Sequence, residues 1–164
     1  MQNRGLLHGA LGAFEQLQPL KSALTSAYQC FSLYFFGHGG EPDNGKNFSI
    51  QAFSEQLADF LEQNNLQKAD IFGFSMGGYV AMYLALHDPG KIGNIITLGT
   101  KLQWDPETAA KEVKMLNPEK IEEKVPKFAK ALEERHHPGD WKKITRKTAD
   151  MLNQMGENPP ITES

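Results

Sequence analysis

Apolar positions along the first hundred residues alternate between two periods. Short dense runs at Arg4 to His8, Tyr28 to Phe36, Ala69 to Phe74 and Ile92 to Leu98 read as strands, the last rich in β-branched residues. Between them the spacing is helical. Phe14, Leu17, Leu20 and Leu24 form one stripe, with Pro19 acceptable only near the first turn. Ile50, Phe53, Leu57, Phe60 and Leu61 form a second behind Ser49, a residue suited to capping a helix. Tyr79, Val80, Met82, Tyr83, Leu84 and Leu86 form a third, stopped at His87-Asp88-Pro89-Gly90. Strands separated by helices predict the α/β class: a mostly parallel sheet with helices on both faces.

Beyond position 100 the pattern is helical throughout. Asp105-Pro106-Glu107 and Asn117-Pro118-Glu119 each combine a capping side chain, a first-turn proline and an early acid, and Pro126 opens a third segment. Asp140 caps a fourth, whose Trp141, Ile144, Thr148, Met151, Leu152 and Met155 share one face. Gly156 and Pro159-Pro160 are its stop signals. Residues 1–100 are therefore expected to form the core and residues 101–164 a helical cap. Composition agrees: nine of the ten phenylalanines lie in the first part, and 24 of the 37 charged residues in the second.

With 164 residues, the chain is long enough to bury a core as one domain plus an appended segment. A net charge of -3 without a basic block points away from nucleic acid and anionic membranes. The single cysteine, Cys30, suits a reducing cytosol and reads as a buried, inert thiol in a strand. No apolar run approaches the roughly 20 residues of a spanning helix, and no charged-then-apolar leader opens the chain. A soluble, cytoplasmic protein is expected. Nothing resembles a metal-ligand cluster, so no metal or organic cofactor is implied.

The chemistry concentrates at Gly73-Phe74-Ser75-Met76-Gly77. Gly-x-Ser-x-Gly alone occurs by chance in glycine-rich loops, but here an apolar strand precedes it and a helix follows, the context that gives it meaning. A serine on so sharp a turn needs small neighbours two residues away on each side, and Gly73 and Gly77 supply them. The helix start beneath adds unpaired N–H groups and a positive dipole end. Ser75 is thereby read as a candidate nucleophile.

Two further loops extend the pattern. His8-Gly9-Ala10-Leu11-Gly12 follows the first strand, and Gly37-His38-Gly39-Gly40 follows the second. Together with the serine turn they resemble the α/β-hydrolase fold family, in the lidded, esterase-like form. The resemblance implies that the residue after the His-Gly pair and the residue after the nucleophile donate the oxyanion N–H groups, here Ala10 and Met76. It implies a small-molecule acyl substrate, and a helical lid whose apolar faces line an acyl or alkyl pocket. Tyr34 stands where the family frequently has an aspartate, read here as a packing difference.

The same resemblance calls for an acid and then a histidine on loops after later strands. It covers essentially the whole chain, but only about the first two-thirds of the family's fold, and those strands are expected beyond Ser164. His8 and His38 read as structural; His87 sits at a helix end; His136 and His137 approach Ser75 only if the lid folds directly over it. Asp105 reads as a helix cap. The expected activity is hydrolysis of an ester, thioester or amide carbonyl, weak or absent without the acid and base. The alternative is a non-catalytic interaction protein that dimerises through an exposed sheet edge. A third reading, phosphate binding at the helix after Phe74, lacks the glycine spacing and lysine of the known phosphate loops.

Overall fold

The computed structural model describes residues 1–66 and 68–162. Strand β1 (Gln2–Leu7) leads through a 3₁₀ turn (Phe14–Leu17) into α1 (Gln18–Leu24), then β2 (Tyr28–Leu33), α2 (Ile50–Gln63), β3 (Ala69–Phe74), α3 (Met76–His87) and β4 (Ile92–Leu98). Four helices follow: α4 (Pro106–Val113), α5 (Pro118–Lys124), α6 (Pro126–His136) and α7 (Trp141–Glu157). The sheet is parallel in the order β2-β1-β3-β4. The predicted caps are present: Ser49 accepts from the Ala52 N–H, Asp105 from Thr108, Asn117 from Lys120, and Asp140 from Lys142 and Lys143.

Three expectations need adjustment, the first being Cys30, which lies in β2 but is half-buried rather than buried. β2 ends at Leu33 rather than Phe36, because side chains take over its backbone groups: Gln56 donates to the Tyr34 carbonyl and accepts from the Phe36 N–H, while His8 Nε2 accepts from the Phe35 N–H. Gly156 lies inside α7 rather than ending it. A Cβ there would stand 2.5 Å from Ala109 Cβ and 2.9 Å from the Asp105 carbonyl oxygen, so this glycine lets α7 lie against the start of α4.

Asp70 ties three strands together. Its carboxylate accepts from Gln2 and Arg4 of β1 and from both the backbone and side-chain N–H groups of Asn94 on β4. Those hydrogen bonds, first the Asn94 backbone, hold the carboxyl below its usual range. The core runs from Leu7, Ile71 and Val80 through Phe35, Phe53 and Leu57 to Leu132, Ile144 and Met151, so α6 and α7 belong to the same buried cluster as the sheet. On β3 and β4 the register puts Phe72 beside Ile96 and Phe74 beside Leu98. Phe74, Ile96 and Leu98 remain exposed.

Helix α3 approaches the sheet at two glycines. A Cβ on Gly73 would lie 2.3 Å from Gly78 backbone atoms, and one on Gly77 would lie 2.6 Å from the Leu7 carbonyl oxygen. Backbone cannot yield as a flexible side chain can. Gly73→Ala and Gly77→Ala are each predicted to lower unfolding free energy by about 1–3 kcal/mol or more through overpacking, measured by urea denaturation; an unchanged midpoint contradicts the close approach.

Candidate active site

Between the end of β3 and the start of α3, Ser75 adopts φ 50°, ψ -116°. A residue with a side chain meets steric resistance there, of order 1–3 kcal/mol, and persists only where its surroundings over-determine it. They do. The Ser75 N–H donates to the Leu98 carbonyl of β4 at 2.9 Å, and its own carbonyl accepts from Gly78 and Tyr79 of α3 and from the Thr100 hydroxyl at 2.9 Å. The Ser75 hydroxyl has no hydrogen-bond partner among the described residues, and Ser75 lines a cavity of about 320 Å³. Met76, next in the chain, occupies the first turn of α3, where a backbone N–H lacks an intrahelical acceptor.

Ala10 reaches the same cavity from the loop after β1. Gly9 to Gly12 form a tight turn closed by the Gly12 N–H on the Gly9 carbonyl at 3.0 Å, with Leu11 at φ 55°. The His8 ring Nδ1–H also donates to the Gly9 carbonyl, at 2.8 Å, because its Nε2 is occupied as the acceptor for Phe35. Ala10, Ser75 and Met76, the three site residues expected from sequence, thus line one cavity.

The remaining walls come mostly from the helical segment. Thr148, Met151, Leu152 and Met155 of α7 line the cavity, joined by Met115, Leu116 and Trp104. The cavity is mainly apolar. Its charged members are Lys101 and Glu112, which pair with each other. Sequence reasoning passed over Trp104, Lys101 and Glu112; the one available signal was a tryptophan directly before the Asp105 cap.

The sequence profile described as alpha/beta hydrolase fold matches residues 6–136. The chain belongs to the α/β-hydrolase fold family. Among relatives of this chain, the chloroplastic protein PHYLLO of Arabidopsis thaliana is 32% identical over 109 residues, 61% of this chain and 6% of that protein. The 3-oxoadipate enol-lactonase 1 of Acinetobacter baylyi is 33% identical over 78 residues, 48% of this chain and 29% of the relative. The matched stretches are thus less than a third of either relative's length. Among solved structures, NosK from Streptomyces actuosus superposes with a TM-score of 0.76 at 17% identity, over 99% of this chain and 69% of that one, a likeness of fold.

None of the histidines lines the cavity of this α/β-hydrolase chain. His87 stacks on Tyr83 and bonds its carbonyl, and Asp105 caps α4. His8, His38 and His136 instead form a buried row, with ring centres 5.3 Å and 5.7 Å apart. His136 Nδ1 accepts from the Gly39 N–H, so its Nε2 carries the proton and donates to the Leu11 carbonyl. His38 Nδ1–H donates to the Phe36 carbonyl, leaving its Nε2 buried without a partner. All three are held neutral. Burial, the main cause, brings His8 and His136 down to about 4 and His38 well below its ordinary value.

Because the native pKa values lie below the unfolded value of about 6.5, an unfolded chain binds protons that the native one excludes as pH falls through that range. Stability is full above about pH 6.5 and is lost toward about pH 4, by up to about 1.4 kcal/mol per pH unit for each histidine. Urea midpoints measured between about pH 7 and about pH 4.5 should fall steadily, with a shallower slope in His136→Gln. A flat profile contradicts neutral burial.

Proposed function

We propose that the chain is a serine hydrolase acting on a carboxylic ester, thioester or amide carbonyl, with Ser75 as nucleophile and the Ala10 and Met76 N–H groups as oxyanion donors. The observation that carries this reading is the strained Ser75 backbone beside two N–H groups, of Ala10 and Met76, that have no acceptor among the described residues and belong to residues lining one cavity. Attack by the hydroxyl oxygen on the carbonyl carbon makes a tetrahedral centre whose oxygen becomes negative; fixed N–H dipoles stabilise that charge without reorganising. The proton given up by the hydroxyl passes through water to the leaving group as the bond between that group and the carbonyl carbon breaks, giving an acyl-enzyme; a second water then adds to the acyl carbon, releases the acid and returns a proton to the Ser75 oxygen. The name of the enol-lactonase relative favours an ester-type bond. The apolar walls, drawn largely from a helical lid between Trp104 and Met155, suit the acyl or alkyl part of the substrate.

Among the described residues no base hydrogen-bonds the Ser75 hydroxyl. The oxyanion donors and binding alone leave roughly 10³–10⁴ of rate over water, so turnover by these residues is slow and the acyl-enzyme is the better readout. Incubation with p-nitrophenyl butyrate should give one butyryl adduct, mapped to Ser75 by mass spectrometry and absent from Ser75→Ala. An adduct rate and hydrolysis unaffected by Ser75→Ala would sink the assignment.

The exposed Phe74, Ile96 and Leu98 favour one second reading, a scaffold that pairs with another copy along β4. Sedimentation should then show a concentration-dependent dimer that Leu98→Lys dissociates; a strict monomer at high concentration removes this reading.

A further inference from the structure

Leu11 is the residue after the proposed oxyanion donor Ala10, and at φ 55° it is bulky, buried and left-handed, a combination that nothing local favours. Its carbonyl is held from far along the chain. Arg135 Nη1 donates to it at 2.8 Å and His136 Nε2 at 3.2 Å, both from the last turn of α6. The guanidinium contact is charge-assisted and the stronger of the two. His136 also accepts from the Gly39 N–H, so one helix end braces both loops at this edge of the sheet.

The peptide between Gly9 and Ala10 explains why this matters. Its carbonyl is taken by the Gly12 N–H and the His8 ring. In a planar trans peptide the N–H points opposite to the C=O, so the Ala10 N–H is aimed away from those donors, and it has no acceptor among the described residues. That aim survives only while the Gly9–Gly12 turn stays closed, and the turn contains the left-handed Leu11.

We infer, resting on the hydrolase reading, that Arg135 and His136 are positioning residues for the oxyanion site: lid helix α6 locks the Leu11 carbonyl, and with it the direction of the Ala10 N–H. The lid thereby does more than wall the pocket; its docking completes the electrostatic part of the site. Neither residue touches the reacting atoms. Their loss should lower the maximal rate of Ser75 acylation while leaving the half-saturating ester concentration unchanged, because the substrate meets the cavity walls and not these side chains.

The test compares the wild-type 164-residue chain with Arg135→Ala, His136→Asn, the double variant and His136→Gln. His136→Asn keeps an acceptor near the Nδ1 position but loses the donor to Leu11; His136→Gln keeps a donor at the Nε2 position. Two quantities are read: the acylation rate of Ser75 by p-nitrophenyl butyrate, and backbone hydrogen exchange in a peptide spanning residues 9–16. The double variant should acylate at least about tenfold more slowly, a fraction of the 10²–10³ that one oxyanion donor supplies, with His136→Gln recovering much of the rate. Exchange should quicken in residues 9–16 and stay at the wild-type rate in residues 69–80. Unchanged exchange in 9–16, or an equal rise across the whole chain, overturns the inference. If the double variant fails to fold, Arg135→Ala alone, whose side chain is only part-buried, decides by the same comparison. The hydrolase reading fails separately, through persistence of acylation in Ser75→Ala, and the exchange comparison is unaffected by that result.

Discussion

Helix α3 lies where it does because Gly73 and Gly77 carry no side chains to stand between it and the strands. With Cβ atoms at those places the helix start would be pushed off the ends of β1 and β3. The single residue linking strand to helix must then reverse direction in one step, and Ser75 does so in a conformation that resists its own side chain. Packing that excludes two methyl groups is thus converted into strain at a third residue. The hydrogen bond that Ser75 donates to the Leu98 carbonyl and those it accepts from Gly78, Tyr79 and Thr100 keep that strain from relaxing.

From this turn the rest of the site follows in layers. The end of β1, pressed against Gly77, continues into the Gly9–Gly12 turn that brings Ala10 to the cavity. Above it, α4 and α7 close the walls, and Gly156 lets them meet. Beside it, the neutral histidine row and Arg135 fasten the end of α6 to the same loops. Sheet and helical segment share one buried cluster, so the helices are an integral part of the core and not a loosely tethered cover.

Much of this was legible in the sequence because it is encoded locally. Ser49, Asp105, Asn117 and Asp140 announce their helices by capping, and prolines at 106, 118 and 126 fit first turns without losing a hydrogen bond. The serine turn was legible because its steric demand falls on residues two positions away. What escaped was encoded at a distance. No local pattern tells that His136 will bond a carbonyl 125 positions earlier, or that Gln56 will satisfy the backbone of residues 34 and 36 and so shorten β2. Gly156 misled for a related reason: alone it reads as a helix stop, whereas its meaning depends on Ala109 and Asp105 arriving from another helix. Lys101 and Glu112 were passed over because their shared position at the cavity exists only after folding.

Strain at a proposed nucleophile bears on stability as well as on rate. Glycine adopts positive φ without penalty, and the Ser75 hydroxyl makes no hydrogen bond among the described residues that would be lost. The most direct measurement is therefore the unfolding free energy of Ser75→Gly beside its acylation by p-nitrophenyl butyrate. The account predicts a gain in stability of about 1 kcal/mol, the relief of strain less the added freedom of the unfolded chain, together with complete loss of the adduct. A destabilised Ser75→Gly, or one that still acylates at the wild-type rate, would contradict it.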